Sequence, residues 1–174
     1  ATLPVSLFNL GLALSTIPAA LLMRYLGRRQ AYVLGAVLAI IAALIAAFGI
    51  AKGSFVQFCI GTTLAGFYAA CVQNYRFAAS DSVVPKERPK AISRIMIGGL
   101  VAAILGPQVV IWTHNAWSGA PYAGGFVSQA VLALLALGLL AQLRLPSLQF
   151  AASAGEARSL WAIARQQRFV VAVV

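Results

Sequence analysis

Five long stretches without an Asp, Glu, Lys or Arg constrain the fold of this chain more than any other feature. They cover residues 3–23, 31–51, 55–75, 95–113 and 122–143. A helix needs about 20 mainly apolar residues to cross the hydrocarbon core of a bilayer, and each stretch has that length. Frequent Ala and Gly, without period-two alternation, favour helices over the strands of a membrane barrel. The sequence therefore predicts an all-α, polytopic transmembrane helical bundle, with a further span beginning near residue 169.

The charge content supports lipid as the main solvent of this chain. Only 9% of its residues are charged, against roughly a quarter in a soluble domain. The formal net charge of +10 comes from basic residues placed where the apolar stretches end. That placement indicates contact with lipid head groups rather than with nucleic acid, for which a basic patch with interleaved aromatics is expected. The predicted partner is therefore the bilayer.

The basic residues also predict how the chain crosses the membrane. Every Lys and Arg except Lys52 lies in alternate connections, at residues 24–30, 76–94 and 144–168. Lys and Arg accumulate on the cytoplasmic side of membrane proteins, so these three connections are expected to be cytoplasmic. We expect a multi-pass protein of a bacterial cytoplasmic (inner) membrane whose first span runs from outside to inside.

The titratable residues do not form a catalytic or metal-binding pattern. The three acids, Asp81, Glu87 and Glu156, lie in basic connections, and His114 lies at the opposite end of its span. General acid–base catalysis and zinc binding both need such groups to face each other. The sequence predicts no enzyme activity, no metal and no cofactor in this segment.

The third stretch is the least uniformly apolar and carries the first candidate site. At 100° per residue, six of its small and polar residues fall within about 100° of one another, namely Cys59, Thr62, Gly66, Ala69, Gln73 and Arg76. Such a stripe either packs closely against a neighbouring helix or lines a water-filled pathway. An arginine at its end suits an anionic group on a substrate, or simply extends to the interface. The candidates for a substrate cavity are Thr62, Gly66, Gln73 and Arg76.

The fourth stretch contains a predicted hinge. A proline inside a helix removes one backbone hydrogen bond and bends the helix, and neighbouring glycines let another helix approach. The residues concerned are Gly98, Gly99, Gly106 and Pro107. Gln108, beside the proline, is a further candidate for a substrate cavity.

Three short segments resemble signatures of the major facilitator superfamily of secondary transporters. The loop LMRYLGRRQ is similar to the superfamily's G-x-L-A-D-R-x-G-R-R/K loop between its second and third helices, with Gly27, Arg28 and Arg29 matching. Arg24 replaces the usual acid of that loop, which normally helps to latch the two halves. The segment GGLVAAILGPQVV resembles the fifth-helix signature through its Gly-Pro pair, and VPKERPKAIS resembles the link that precedes it.

The resemblance implies an internal fragment of a two-bundle transporter. Residues 1–145 would then be an incomplete N-terminal six-helix half that lacks its first helix, residues 146–168 a cytoplasmic linker between the halves, and residues 169–174 the start of the next span. The linker reading competes with an ordinary loop. In the fourth-helix signature Thr62 takes the place of the usual Arg, so the proton-coupling role of that Arg is not carried over.

The resemblance also implies the function. We expect a secondary active transporter that moves a small molecule by alternating access. The fifth-helix signature is commonest in proton-coupled drug exporters, which adds export and a coupling proton as expectations. Two alternatives stay open: a multi-span sensor or scaffold that transports nothing, and a membrane enzyme whose active site lies outside this segment.

Overall fold

The computed structural model describes residues 2–117 and 119–142, and these residues form helices joined by short turns. A 3-10 turn at Pro85–Glu87 precedes the fifth helix. The predicted all-α transmembrane architecture is confirmed for this part of the chain, which contains no strand. The six helices are α1 (Leu3–Leu26), α2 (Arg28–Ala51), α3 (Phe55–Gln73), α4 (Tyr75–Asp81), α5 (Arg88–Thr113) and α6 (Ala123–Gln142).

Five segments of the described residues are long and apolar enough to cross a membrane, with α3 and α4 together forming the third. The predicted positions of the spans are correct, but several helices extend past the apolar stretches. The fifth helix begins at Arg88 rather than near residue 95, because backbone hydrogen bonding continues into the polar interface. The predicted linker at 146–168 and the span beginning at residue 169 lie outside the described residues.

The connection between α1 and α2 is a single residue. Gly27 has φ 84° and ψ 156°, a backbone conformation that is essentially restricted to glycine. Its carbonyl accepts the first backbone hydrogen bond of α2, from the Ala31 N–H at 3.1 Å. The glycine of the loop signature is therefore required by the turn that separates these two helices.

The packing core is built on α3, which lies against both α1 and α2, while α6 also packs against α2. Small residues allow the helix backbones to approach closely. A Cβ built on Gly61 would lie 2.7 Å from the Ala46 nitrogen, and one on Gly66 would lie 2.5 Å from the Leu12 nitrogen. Most of the buried residues are alanines. The bundle is thus held by close backbone contact rather than by interlocking large side chains.

The fifth helix is the least covered of the helices. None of its residues is buried within the described part of the chain, where it packs mainly against α4 and α6. A Cβ built on Gly98, Gly99 or Gly106 would meet no described atom within 4 Å. The helix is continuous through Pro107. The packing and hinge roles predicted for these four residues therefore stay predictions.

Candidate functional site

The polar stripe of the third span lies at two levels of the bundle. Thr62 is near the end of the bundle that carries Lys52, whereas Gln73 and Arg76 are near the end that carries Arg28. We call these the Lys52 end and the Arg28 end. Gln73 lies 11 positions after Thr62, which corresponds to roughly 16 Å of helix. The structure therefore does not gather the predicted residues into one pocket.

Thr62 faces a cavity of about 310 Å³ between α1, α2, α3 and α6. Its hydroxyl donates to the Cys59 carbonyl at 2.9 Å, and its oxygen can still accept a hydrogen bond. The opposite wall carries the Gln129 amide and the Phe126 ring, which meets the Phe58 ring edge to face at a centroid distance of 5.6 Å. Sequence reasoning missed the contribution of α6, because a contact between distant helices leaves no local pattern.

Gly66 lies in the contact between α3 and α1. A Cβ there would lie 2.6 Å from the Phe8 carbonyl oxygen, in addition to its clash with Leu12. A Cβ built on the facing Gly11 would lie closer still to the carbonyl oxygen of Thr63. Of the two readings of the stripe, this geometry supports helix packing at Gly66.

Gln73 and Arg76 lie together, on the rim of a shallow depression of about 200 Å³ between the third span and α5. Val72, Ile95 and Met96 form the rest of the depression. The Arg76 guanidinium carbon lies 4.9 Å from the centroid of the Phe77 ring, within the range of a cation–π contact. These two side chains offer both hydrogen-bond donors and an acceptor to a small molecule.

A break between α3 and α4 determines where Arg76 lies. Asn74 interrupts the helix, and its side-chain amide donates back to the Ala70 carbonyl at 2.9 Å. The Tyr32 hydroxyl donates to the Asn74 carbonyl oxygen at 3.3 Å, and the Tyr32 and Tyr75 rings meet edge to face at 4.7 Å. Tyr32 thus stabilises the interrupted backbone from α2.

Gln108 is exposed on α5 and lines neither the cavity of Thr62 nor the depression of Gln73 and Arg76. It is 12 residues beyond Met96, which corresponds to roughly 18 Å along the helix. Within the described part of the chain, the structure does not bring it together with Thr62, Gln73 or Arg76.

The two arginines of the loop signature bind different helices. The Arg28 guanidinium forms an ion pair with the Asp81 carboxylate at 2.6 Å, which connects the start of α2 to the end of α4. The Arg29 guanidinium donates to the Ala141 carbonyl oxygen in the last turn of α6. Together they connect the start of α2 to the ends of α4 and α6 at the Arg28 end.

The Lys52 end contains the lone histidine. The His114 and Tyr122 rings meet edge to face at 4.5 Å. Among residues 2–117 and 119–142, no three His, Cys, Asp or Glu side chains are grouped so that they could hold a metal ion.

Comparison with known proteins identifies the family. The sequence profile of the Major Facilitator Superfamily matches residues 1–174. The chain belongs to this superfamily. The predicted family is thus confirmed, and the family is one of transporters rather than enzymes.

One relative of the chain is the riboflavin transporter RfnT of Brucella anthropi. It is 55% identical over 174 residues, which are 99% of this chain and 44% of the relative. The chain thus spans less than half of the length of the curated relative. No solved structure matches the chain.

Arg24 stands where the superfamily loop usually has an acid. Arg28 of the same loop forms an ionic contact with Asp81, which joins the second span of this chain to the third.

Proposed function

We propose that this chain is part of a secondary active transporter that carries riboflavin, or a closely similar flavin, across the membrane by alternating access. The observation that carries the proposal is the 55% identity to a riboflavin transporter along 99% of the chain. Membership of the Major Facilitator Superfamily supports the mechanism, since such proteins expose a central site to each side in turn.

The chemistry of riboflavin agrees with the polar groups along the third span. The molecule has a flat, largely apolar ring system, an imide edge that both donates and accepts hydrogen bonds, and a tail of hydroxyl groups. A primary amide such as Gln73 can both donate to and accept from an imide edge. Arg76 can donate to a carbonyl or hydroxyl oxygen without needing an anionic substrate. The proposed pathway therefore passes Gln73 and Arg76.

Thr62 marks a second proposed level of the same pathway. Its cavity combines two phenyl rings with the Thr62 hydroxyl and the Gln129 amide. Pockets that bind small molecules are typically lined by hydrophobic and aromatic side chains, with a few polar groups that orient the ligand. Gly66, between the two levels, is proposed to hold α3 against α1 rather than to touch substrate.

Proton coupling and export are the remaining parts of the proposal. The carboxylates of the described residues, Asp81 and Glu87, lie at the Arg28 end, and we assign neither of them to a transported proton. A pH gradient imposed across vesicles tests proton coupling directly. The side on which riboflavin accumulates under that gradient tests the direction of transport. Loss of the gradient with a protonophore should abolish accumulation if protons drive transport.

The test is riboflavin flux by the full-length protein reconstituted in vesicles, followed by flavin fluorescence. Gln73→Ala and Arg76→Ala should each reduce uptake at low substrate by about 2- to 10-fold, the loss expected for one hydrogen bond. Gln57→Ala and Arg88→Ala, which alter exposed residues of the same types, should leave uptake unchanged. Unchanged kinetics in the first two variants would falsify the pathway assignment, and absence of riboflavin flux in the unmodified protein would refute the substrate.

A further inference from the structure

A groove separate from the proposed pathway lies on the outside of the bundle at the Arg28 end. It has a volume of about 410 Å³ and runs between the end of α1, the start of α2 and the end of α6. Its lining residues are Leu26, Arg29, Gln30, Val33, Leu34 and Ala141.

The walls of this groove suit a hydrocarbon chain. Leu26 and Leu34 are 43% and 42% exposed, and the half-buried Val33 also lines the groove. Leu26 is the last residue of α1 and Leu34 lies near the start of α2, so the groove lies at the Arg28 end of two segments that are long and apolar enough to cross a membrane. An apolar groove that opens at this depth can take an acyl chain without removing a polar group from water.

The mouth of the groove carries the positive charge of Arg29. In the part of the chain that the structure describes, the Asp81 carboxylate pairs with Arg28 rather than with Arg29. The contact of Arg29 with Ala141 is to a neutral carbonyl. A guanidinium has five N–H donors in a planar fork, so further donors remain for a phosphate. The exposed Gln30 amide adds an uncharged donor beside it.

We propose that this groove binds one anionic phospholipid of the surrounding leaflet. The acyl chain lies along Leu26, Val33 and Leu34, and the head-group phosphate accepts hydrogen bonds from Arg29 and Gln30. The positive charge and apolar walls together match a lipid anion, whereas a free phosphate would use the mouth alone. Because Arg29 also holds the last turn of α6, the bound lipid stabilises the contact between α2 and α6.

The test measures lipid binding to the full-length protein in detergent by native mass spectrometry. Phosphatidylglycerol should bind at least about fivefold more tightly than phosphatidylcholine, the contribution expected of one basic residue at a membrane surface. Arg29→Gln, which keeps an N–H donor for Ala141, should bring the two lipids to equal affinity, and Arg29→Lys should retain the preference. Leu34→Trp should weaken binding of both lipids by filling the groove.

Two matched variants separate this site from general charge and hydrophobicity. Arg88→Gln removes an exposed arginine of the same end, and Leu139→Trp enlarges a side chain that is 66% exposed on α6 outside the groove. Both should bind phosphatidylglycerol like the unmodified protein. The proposal is overturned if Arg29→Gln keeps the lipid preference, if Arg88→Gln loses it equally, or if inorganic phosphate displaces the lipid completely.

Discussion

Replacing Gly66 with alanine tests whether close backbone contact holds the third span in place. The added Cβ would lie 2.5 Å from the Leu12 nitrogen and 2.6 Å from the Phe8 carbonyl oxygen, both in the backbone of α1. Ordinary contact begins near 3.4 Å, so α1 and α3 must separate by about 1 Å, and overpacking of this kind costs about 1–3 kcal/mol. Gly61→Ala should cost a similar amount, because its Cβ would meet the α2 backbone at 2.7 Å.

A matched control removes the general effect of adding a methyl group to a membrane helix. Gly138 lies exposed on α6, and a Cβ there would meet no described atom within 4 Å. Gly138→Ala should therefore leave stability unchanged or raise it by up to about 1 kcal/mol, because alanine restricts the unfolded chain more than glycine does.

The assay is equilibrium unfolding of the full-length protein in mixed micelles with increasing SDS, followed by circular dichroism. The midpoint should fall for Gly61→Ala and Gly66→Ala and should not fall for Gly138→Ala. If Gly66→Ala unfolds at the same midpoint as Gly138→Ala but loses riboflavin uptake, then Gly66 lines the pathway and the packing assignment is incorrect.

Three further predictions concern the ion pair between Arg28 and Asp81, the turn at Gly27 and the orientation of the chain in the membrane. In a double-mutant cycle, Arg28→Gln and Asp81→Asn should show a coupling of up to about 1 kcal/mol, since the pair is partly exposed, and additive effects would contradict the ion pair. Gly27→Ala should lower the free energy of unfolding by about 1–3 kcal/mol because φ there is +84°, and an unchanged SDS midpoint would show that the turn can relax. Cysteines placed at Gly53 and Glu87 should react with a membrane-impermeant thiol reagent from opposite sides, with Glu87→Cys on the cytoplasmic side, and labelling of both from one side would refute the predicted topology.

The spans and the family could be predicted from the sequence because both depend on local patterns. An uncharged stretch of about 20 residues has few alternatives to a membrane helix. The match of Gly27, Arg28 and Arg29 to a loop signature indicates the family that the comparison over residues 1–174 confirms. The turn at Gly27 shows the physical reason for that glycine, which the pattern alone does not provide.

The site was harder to predict because it depends on contacts between distant parts of the chain. The stripe on the third span could be located by its angular spacing, but the spacing does not say which neighbour faces which residue. Only the structure shows that Gly66 meets α1, and that Tyr32 supports the break at Asn74 from a position 42 residues away. The ion pair at the end of α4 could not be predicted either, because Asp81 and its partner Arg28 are 53 residues apart in the sequence.

Counterflow of riboflavin tests the central claim most directly, since it requires one site that faces each side in turn. Vesicles that contain the full-length protein are loaded with unlabelled riboflavin and diluted into a trace of labelled riboflavin, with no ion gradient. An alternating-access carrier should concentrate the label inside transiently, above its outside level, before it declines to equilibrium. A rise that only approaches the outside level would indicate a passive pore, and the absence of any uptake beyond that of empty vesicles would contradict flavin transport.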